Sequence, residues 1–239
     1  MGARDKLIVA LDVPNLDSAL NLMEKLQGEV KFFKVGMQLF TAEGPEVVRQ
    51  ITRQGGQVFL DLKFHDIPNT VMEAGERAAS LGVYMYNVHA AGGLEMMKKT
   101  KERTVQATKE LGFPQPLVIA VTVLTSMNQE TLNKEVGIGR RVEEQVVAWA
   151  KLAQEAGLDG VVASSQEVEA IRQTCGSDFL LVTPGIRPIW AAANDQKRIM
   201  TPREAIKAGS DFIVVGRPIT GAEDPREAAK KVLEEMEAI

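Results

Sequence analysis

The sequence is poor in the residues that build disulfides and zinc sites. Its 239 residues include one cysteine, Cys175, and two histidines, His65 and His89. A single cysteine cannot form a disulfide within the chain, and no thiol-activating motif surrounds it. We therefore predict an inert Cys175 in a reducing compartment. The histidines stand outside any HxH, HExxH or cysteine cluster, so we expect no zinc site.

Long apolar runs and clusters of basic charge are also missing. No stretch approaches the roughly 20 apolar residues of a membrane-spanning helix. The 28 Lys and Arg residues are scattered among 32 Asp and Glu residues, and the net charge is −4, which argues against nucleic-acid binding. Residues 1–6 are mostly polar and lead directly into an apolar run, unlike a signal peptide. We therefore expect a cytoplasmic protein that binds neither membranes nor nucleic acids.

Short apolar runs alternate with longer amphipathic stretches along the whole chain. Such runs are typical of parallel strands covered on both faces. Eight are present, at residues 7–13, 32–36, 57–63, 84–90, 117–124, 160–164, 179–183 and 212–216. Eight strand–helix units without a linker predict a single (β/α)8-barrel domain over residues 1–239. The alternative, an open doubly wound sheet, often has a GxGxxG turn after its first strand, and that turn is absent here.

Amphipathic stretches between the apolar runs predict the outer helices. They lie at residues 16–26, 45–54, 71–81, 95–111, 143–156, 166–174, 202–208 and 225–237. Glycines that follow four of these stretches, a typical helix-ending signal, are Gly82, Gly112, Gly157 and Gly209. The longest connection without periodicity, residues 125–141, follows the fifth strand and could be a mobile lid.

Charged residues gather at the ends of the first three predicted strands. They are Asp12, Lys34, Asp61, Lys63 and Asp66. Barrel active sites lie at the carboxyl ends of the strands. We therefore predict that these residues form one network of alternating charges and that this network serves the function of the protein. The alternative is a set of ion pairs that only closes the top of the barrel. A lysine between carboxylates keeps its proton, so Lys63 fits a proton donor better than a Schiff-base lysine.

Residues that suit an anion follow the last predicted strand, where Gly216 is succeeded by Arg217. Barrel enzymes often bind phosphate in the loops after the seventh and eighth strands. Glycine lets the backbone approach an anion that arginine can grip. We therefore predict a small phosphorylated substrate. Composition alone does not exclude magnesium, but Lys34 and Lys63 would repel the cation.

Several motifs together resemble the orotidine 5′-phosphate decarboxylase family over almost the whole chain. They are Ala-Leu-Asp at 10–12, Phe-Lys-Val-Gly at 33–36, Phe-Leu-Asp-Leu-Lys-Phe-His-Asp-Ile-Pro-Asn-Thr at 59–70, Asn-Val-His-Ala at 87–90, Val-Leu-Thr-Ser at 123–126, Thr-Pro-Gly-Ile-Arg at 183–187, Asn-Asp-Gln at 194–196 and Val-Val-Gly-Arg-Pro-Ile at 214–219. The resemblance implies decarboxylation of orotidine 5′-phosphate to UMP without a metal or other cofactor.

The resemblance also implies roles for individual residues. Lys63 would protonate C6 of the pyrimidine, flanked by Asp61 and Asp66, which would face the substrate carboxylate. Lys34 would bridge this network to the ribose. The other implied substrate contacts are Asp12 to the ribose hydroxyls, Thr125, Ser126 and Pro184 to the pyrimidine, and Arg187, Gln196, Gly216 and Arg217 to the phosphate. The family is homodimeric, so Asp66 and Thr70 would enter the partner's site.

Other interpretations remain open at this point. Sister enzymes with the same barrel, such as keto-gulonate-phosphate decarboxylase and hexulose-phosphate synthase, share the pattern of Asp61, Lys63 and Asp66. They use magnesium and have an acidic residue where this chain has Lys34. A non-catalytic barrel that senses a nucleotide or sugar phosphate is a second alternative, although a sensor needs no proton donor. A third is a barrel with other small-molecule chemistry.

Overall fold

A computed structural model describes residues 2–191 and 200–238. Within them, eight parallel strands form a closed barrel in which each strand pairs with the next and the last pairs with the first. The strands are β1 Leu7–Ala10, β2 Phe32–Gly36, β3 Gln57–Phe64, β4 Met85–His89, β5 Leu117–Val121, β6 Gly160–Val162, β7 Leu180–Thr183 and β8 Phe212–Val215. The predicted (β/α)8 barrel is therefore confirmed.

Helices surround the barrel, in the order expected from the amphipathic stretches. They are α1 Leu16–Lys25, α2 Met37–Glu43, α3 Glu46–Arg53, α4 Pro68–Ser80, α5 Gly93–Leu111, α6 Val142–Glu155, α7 Val168–Cys175, α8 Pro202–Ala208, α9 Arg217–Thr220 and α10 Pro225–Glu237. In the described part of the chain, no helix has the length and apolar character needed to cross a bilayer.

The apolar residues form two cores on opposite sides of the strand wall. Ile8 belongs to the cluster inside the barrel, whereas its neighbours Leu7 and Val9 belong to the larger cluster between strands and helices. This alternation follows from the period of two along a strand. Aromatic rings fill part of the interior, where Phe32 lies 5.7 Å from Phe212 between ring centroids. Side chains therefore fill the part of the barrel interior where these rings lie.

Several element boundaries differ from the sequence predictions. Six predicted strands are too long; for example, β1 ends at Ala10 rather than at residue 13, and β5 at Val121 rather than at residue 124. The sequence also failed to predict α2 and α9. Within the predicted 125–141 connection, residues Thr131–Glu135 form one π-helical turn. The prediction for α4 began too late, because the helix starts at Pro68 and places Thr70 in its first turn.

Candidate active site

The third strand is irregular where its two predicted functional residues lie. Leu60 pairs with Tyr86 and Phe64 pairs with Val88, so three residues of β3 oppose the single residue Asn87 of β4. Lys63 lies in this bulge with φ 53°, and it is the one described non-glycine residue with a positive φ. A non-glycine residue in this region is strained by about 1–3 kcal/mol, and such strain is common at functional sites.

Four charged side chains form a continuous chain across the top of the first three strands. The Lys34 Nζ lies 3.0 Å from Oδ1 of Asp12 and 3.5 Å from Oδ2 of Asp61. The Lys63 Nζ donates to Oδ1 of Asp61 over 2.7 Å. The predicted alternating network therefore exists for Asp12, Lys34, Asp61 and Lys63. Asp61 and Lys63 both lie within the bulge of β3, and their contact forms inside it.

Asp61 is the central carboxylate of this network. Burial alone would raise its pKa, but the ammonium groups of Lys34 and Lys63 and hydrogen bonds from Lys63 and Asn87 outweigh burial. The pKa of Asp61 therefore lies below its ordinary value of 3.8. The group is a carboxylate at neutral pH, so it can hold the Lys63 ammonium in place and repel a second anion.

Asn87 is part of the site although its sequence pattern suggested no role. The side chain is fully buried on β4. Its Nδ2 donates to Oδ1 of Asp61 over 2.7 Å, and its Oδ1 accepts a 2.8 Å hydrogen bond from the backbone N–H of Lys63. An amide in the middle of a predicted buried strand was the available signal, because buried polar groups need specific partners.

A cavity of about 210 Å³ opens beside the charged network. Lys34, Asp61 and Lys63 line one side of it. The other lining residues are Phe59, Val121, Val123, Leu124, Thr125, Ser126, Val162, Ala163, Pro184 and Val214. The predicted residues Thr125, Ser126 and Pro184 thus share one pocket with Lys63. Two ammonium groups and a carboxylate against an apolar wall suit a flat, anionic, partly apolar ligand.

The predicted phosphate-binding residues lie beside the ends of β7 and β8. Arg187 is buried just beyond β7, and its backbone N–H donates to the carbonyl of Met200 over 2.9 Å. Gly216 follows β8, where an added Cβ would lie 3.9 Å from Oδ2 of Asp12. Arg217 is exposed at the start of α9. Gln196 lies outside the described residues.

Asp66 lies outside the ionic network that the sequence predicted for it. The residue follows the end of β3, where the chain turns outward into α4, and its Oδ1 accepts from the backbone N–H of Ile67 over 2.7 Å. Asp66 and Thr70 are both exposed, and Ile67 between them is 67% exposed. Among the described residues, the ion pairs of Lys34 and Lys63 involve Asp12 and Asp61 but not Asp66, so the structure does not place Asp66 in the network of its own subunit.

The two histidines form a stacked pair near this turn. The ring centroids of His65 and His89 are 5.2 Å apart, and Trp149 packs edge-on against His89 at 5.8 Å. Burial, with smaller effects of His65 and Lys63, lowers the pKa of His89 to about 4. Its Nδ1 accepts from the backbone N–H of Ala91. In residues 2–191 and 200–238, no three His, Cys, Asp or Glu residues group as metal ligands would.

Comparison with known proteins identifies one family over nearly the entire chain. The sequence model of the orotidine 5′-phosphate decarboxylase / HUMPS family matches residues 5–232. A protein from Syntrophomonas wolfei named orotidine 5′-phosphate decarboxylase is 53% identical over 238 residues, covering 99% of this chain and 100% of its own length. A protein of the same name from Syntrophotalea carbinolica is 57% identical, covering 99% of this chain and 96% of its own length.

A solved structure agrees in fold as well as in sequence. The crystal structure of orotidine 5′-phosphate decarboxylase from Lactobacillus acidophilus superimposes with a TM-score of 0.87 at 41% identity. The match covers 98% of this chain and 100% of that one. The similarity therefore extends over nearly the whole length of both chains.

Proposed function

The chain belongs to the orotidine 5′-phosphate decarboxylase / HUMPS family, and we propose on this basis that it is a carboxy-lyase that converts orotidine 5′-phosphate into UMP and carbon dioxide. This reaction would supply UMP in pyrimidine biosynthesis. The proposal includes a homodimeric, cytoplasmic enzyme that needs no metal or other cofactor. The relatives with this name, which are more than half identical to the chain, support the substrate.

One observation carries the proposed mechanism: the Lys63 ammonium is held 2.7 Å from Asp61 at the wall of the cavity. In the reaction, the bond between C6 and the carboxylate breaks and its electron pair stays on C6. The Lys63 ammonium then gives a proton to C6, and the resulting amine takes a proton from solvent. A fixed ammonium stabilises negative charge as it develops, which is the main way enzymes remove about 8–23 kcal/mol from a barrier.

The pocket walls suggest how the pyrimidine and ribose are held. Pro184 would pack against the base, while Thr125 and Ser126 would contact its polar edge. Asp61 would face the carboxylate that is lost. Lys34, already 3.0 Å from Asp12, would join the network to the ribose, whose hydroxyls Asp12 would bind. The substrate therefore spans from the apolar wall to the charged wall of the pocket.

The phosphate would bind at the ends of β7 and β8. Arg187 and Arg217 supply forked donors that match phosphate oxygens, and Gly216 leaves the backbone accessible to the anion. Gln196 would complete this set. Because the phosphate is remote from C6, its binding energy can help to organise the reacting groups.

The arrangement around Asp61 supports a reaction without a metal ion. Asp61 is the only carboxylate among the described residues that line the cavity. Each of its oxygens already lies within 3.5 Å of an ammonium nitrogen. A divalent cation at this carboxylate would meet the positive charges of Lys34 and Lys63. This differs from the magnesium-dependent sister enzymes, which have an acidic residue where this chain has Lys34.

The exposed turn after β3 supports the proposed homodimer. Asp66, Ile67 and Thr70 are exposed and lie beyond the strand that carries Asp61 and Lys63. We propose that a second copy of the chain covers Ile67 and receives Asp66 and Thr70 in its own pocket. Asp66 would then flank the Lys63 of the partner rather than that of its own subunit.

The test is a direct assay with protein treated with EDTA. Loss of pyrimidine absorbance from orotidine 5′-phosphate should be fast in the wild type and absent in Lys63→Ala. Lys31→Ala is the matched control, because this lysine is exposed and its nearest carboxylate, Asp5, lies 3.9 Å away. The control should retain wild-type turnover.

The opposite result has a clear meaning. A folded wild type that leaves orotidine 5′-phosphate unchanged would show that the substrate is wrong. Magnesium and keto-acid sugar phosphates would then be tested, because the sister enzymes use magnesium and one of them decarboxylates such a substrate. Turnover that disappears with EDTA and returns with magnesium would contradict the metal-free mechanism.

A further inference from the structure

Asn87 is the one residue of β4 opposite the bulge that contains Asp61 and Lys63. We infer that Asn87 is a positioning residue, whose carboxamide fixes the Lys63 backbone and the Asp61 carboxylate together and so sets where Nζ of Lys63 meets the substrate. This inference deepens the proposed decarboxylase function and rests on it. Asn87 itself is absent from the residues that line the cavity.

The bulge explains why a side chain is needed at this point. In a regular parallel pair, the backbone N–H groups of β3 would bond to the backbone of β4. Here residues 61–63 oppose Asn87 alone, because pairing resumes only at Phe64 with Val88. The N–H of Lys63 therefore bonds to the Asn87 side chain, at 2.8 Å, instead of to the backbone ladder. This bond supports a lysine backbone with a positive φ.

The orientation of the amide follows from its two partners. A backbone N–H can only donate, so the atom that faces Lys63 must be the oxygen. The carboxylate of Asp61 can only accept, so the atom that faces it must be the nitrogen, at 2.7 Å. The reversed amide would lose both bonds. Asn87 thus fixes Asp61 and Lys63 relative to each other within one rigid group.

Few other side chains can do both tasks. Leucine has a similar size but can neither donate nor accept. An ionised aspartate could accept from Lys63 but would place a second negative charge against Asp61. A protonated aspartate carries both an O–H donor and a carbonyl acceptor, so it could restore the two bonds. This difference in protonation provides a test that a loss of packing would not reproduce.

Three variants separate positioning from stability. Asn87→Leu removes both bonds, and Asn87→Asp restores them only when the new carboxyl is neutral. Tyr86→Phe is the matched control, because Tyr86 is the adjacent residue of β4, is equally buried, and bonds outward to Thr104 over 2.5 Å. The measurements are kcat, the affinity for UMP, the pH dependence of kcat, and a crystal structure of Asn87→Leu.

The expected results differ among the variants. Asn87→Leu should lower kcat by about 100-fold, since small displacements of reacting groups have effects of this size. Its affinity for UMP should stay near that of the wild type, and its crystal structure should show Lys63 away from φ 53° or Nζ away from Asp61. Relative to wild type, kcat of Asn87→Asp should rise as the pH falls from about 8 to about 6. Tyr86→Phe should lose stability but not kcat.

Other outcomes would overturn the inference. One is a kcat in Asn87→Leu no lower than that in Tyr86→Phe; another is an equal loss of kcat and UMP affinity. If Asn87→Leu does not fold, the pH dependence of Asn87→Asp decides. A ratio of its kcat to the wild-type kcat that does not change with pH would contradict the positioning role of Asn87. If the wild type does not decarboxylate orotidine 5′-phosphate, the proposed function fails. The Lys63 geometry in the Asn87→Leu crystal then decides the role of Asn87 separately.

Discussion

A methyl group on Gly36 would lie 2.8 Å from the ammonium nitrogen of Lys34. Gly36 is the last residue of β2, two positions after Lys34, so both side chains would point to the same face. The space above the glycine is filled by the ammonium group, which contacts Asp12 and Asp61 there. Because Gly36 has no side chain, the ammonium group of Lys34 has room to contact both Asp12, which follows β1, and Asp61 of β3.

Gly36→Ala should disturb the charged network more than the fold. The added methyl would displace the Lys34 ammonium by several tenths of an ångström, which weakens both of its ion pairs. We expect kcat/KM for orotidine 5′-phosphate to fall about 10- to 100-fold, with little change in the thermal unfolding midpoint. Steady-state kinetics and a melting curve test this, and wild-type kinetics in the variant would contradict it.

Lys34→Met should raise the pKa of Asp61. Burial already acts in that direction, and the variant removes one of the two ammonium groups that oppose it. A lowered carboxyl pKa contributes stability that is fully present above about pH 4 and is lost as the pH falls through the folded pKa. Acid destabilisation of Lys34→Met should therefore begin at higher pH than in the wild type.

Urea unfolding at several pH values measures this shift. Lys31→Met is a suitable control, since Lys31 is exposed and, among the described residues, its one ion pair is a 3.9 Å contact with the half-buried Asp5. Identical acid profiles for Lys34→Met and Lys31→Met would show that Lys34 does not control Asp61.

His89 should make the protein sensitive to mild acid. Its folded pKa is about 4, below the ordinary value of 6.5, so between these values the unfolded chain binds a proton that the folded chain does not. Stability from this group is present above about pH 6.5 and declines as the pH falls toward 4. After allowance for solvent near the ring, the loss should be about 1 kcal/mol.

His89→Asn provides the comparison for this pH effect. The asparagine oxygen can still accept from the backbone N–H of Ala91 but does not titrate. Its free energy of unfolding should change less between pH 6.5 and 4 than that of the wild type. Equal slopes in the two proteins would remove His89 as the cause.

Mixed dimers test whether the site is shared between subunits. Lys63→Ala and Asp66→Ala should each be inactive alone, because each dimer would lack one essential group in both sites. After denaturation and renaturation together, a hybrid dimer would contain one site with both Lys63 and Asp66. Random reassociation should restore about a quarter of wild-type activity. Mixtures that stay inactive, while refolded wild type recovers, would contradict a shared site.

The barrel was predictable because burial on both faces of each strand leaves a clear apolar run in the sequence. The ends of the strands were less predictable. Val123 lies beyond the end of β5 and is still buried, where it lines the cavity. Apolar patterns report burial rather than backbone hydrogen bonding, so the predicted strands extended into the walls of the site.

The charged part of the site was largely predictable, since Asp12, Lys34, Asp61 and Lys63 stand near strand ends. The rest depends on irregular geometry. The residue types of β3 do not predict its bulge. The inferred positioning role of Asn87 depends on that bulge, which leaves the backbone N–H of Lys63 to bond to the Asn87 side chain. Asp66 is also outside the regular strand, because it lies in the turn between β3 and α4 and its Oδ1 accepts from the backbone N–H of Ile67.

The walls of the cavity come from different parts of the chain. Lys34, Phe59, Asp61 and Lys63 belong to β2 and β3. The other residues that line the cavity belong to β5, β6 and β8 or to the loops after β5, β6 and β7. The proposed proton donor and most of the apolar residues of the cavity are therefore encoded in separate segments of the gene. Substitutions confined to the second segment could therefore change the ligand that the cavity accepts without replacing Lys34, Asp61 or Lys63.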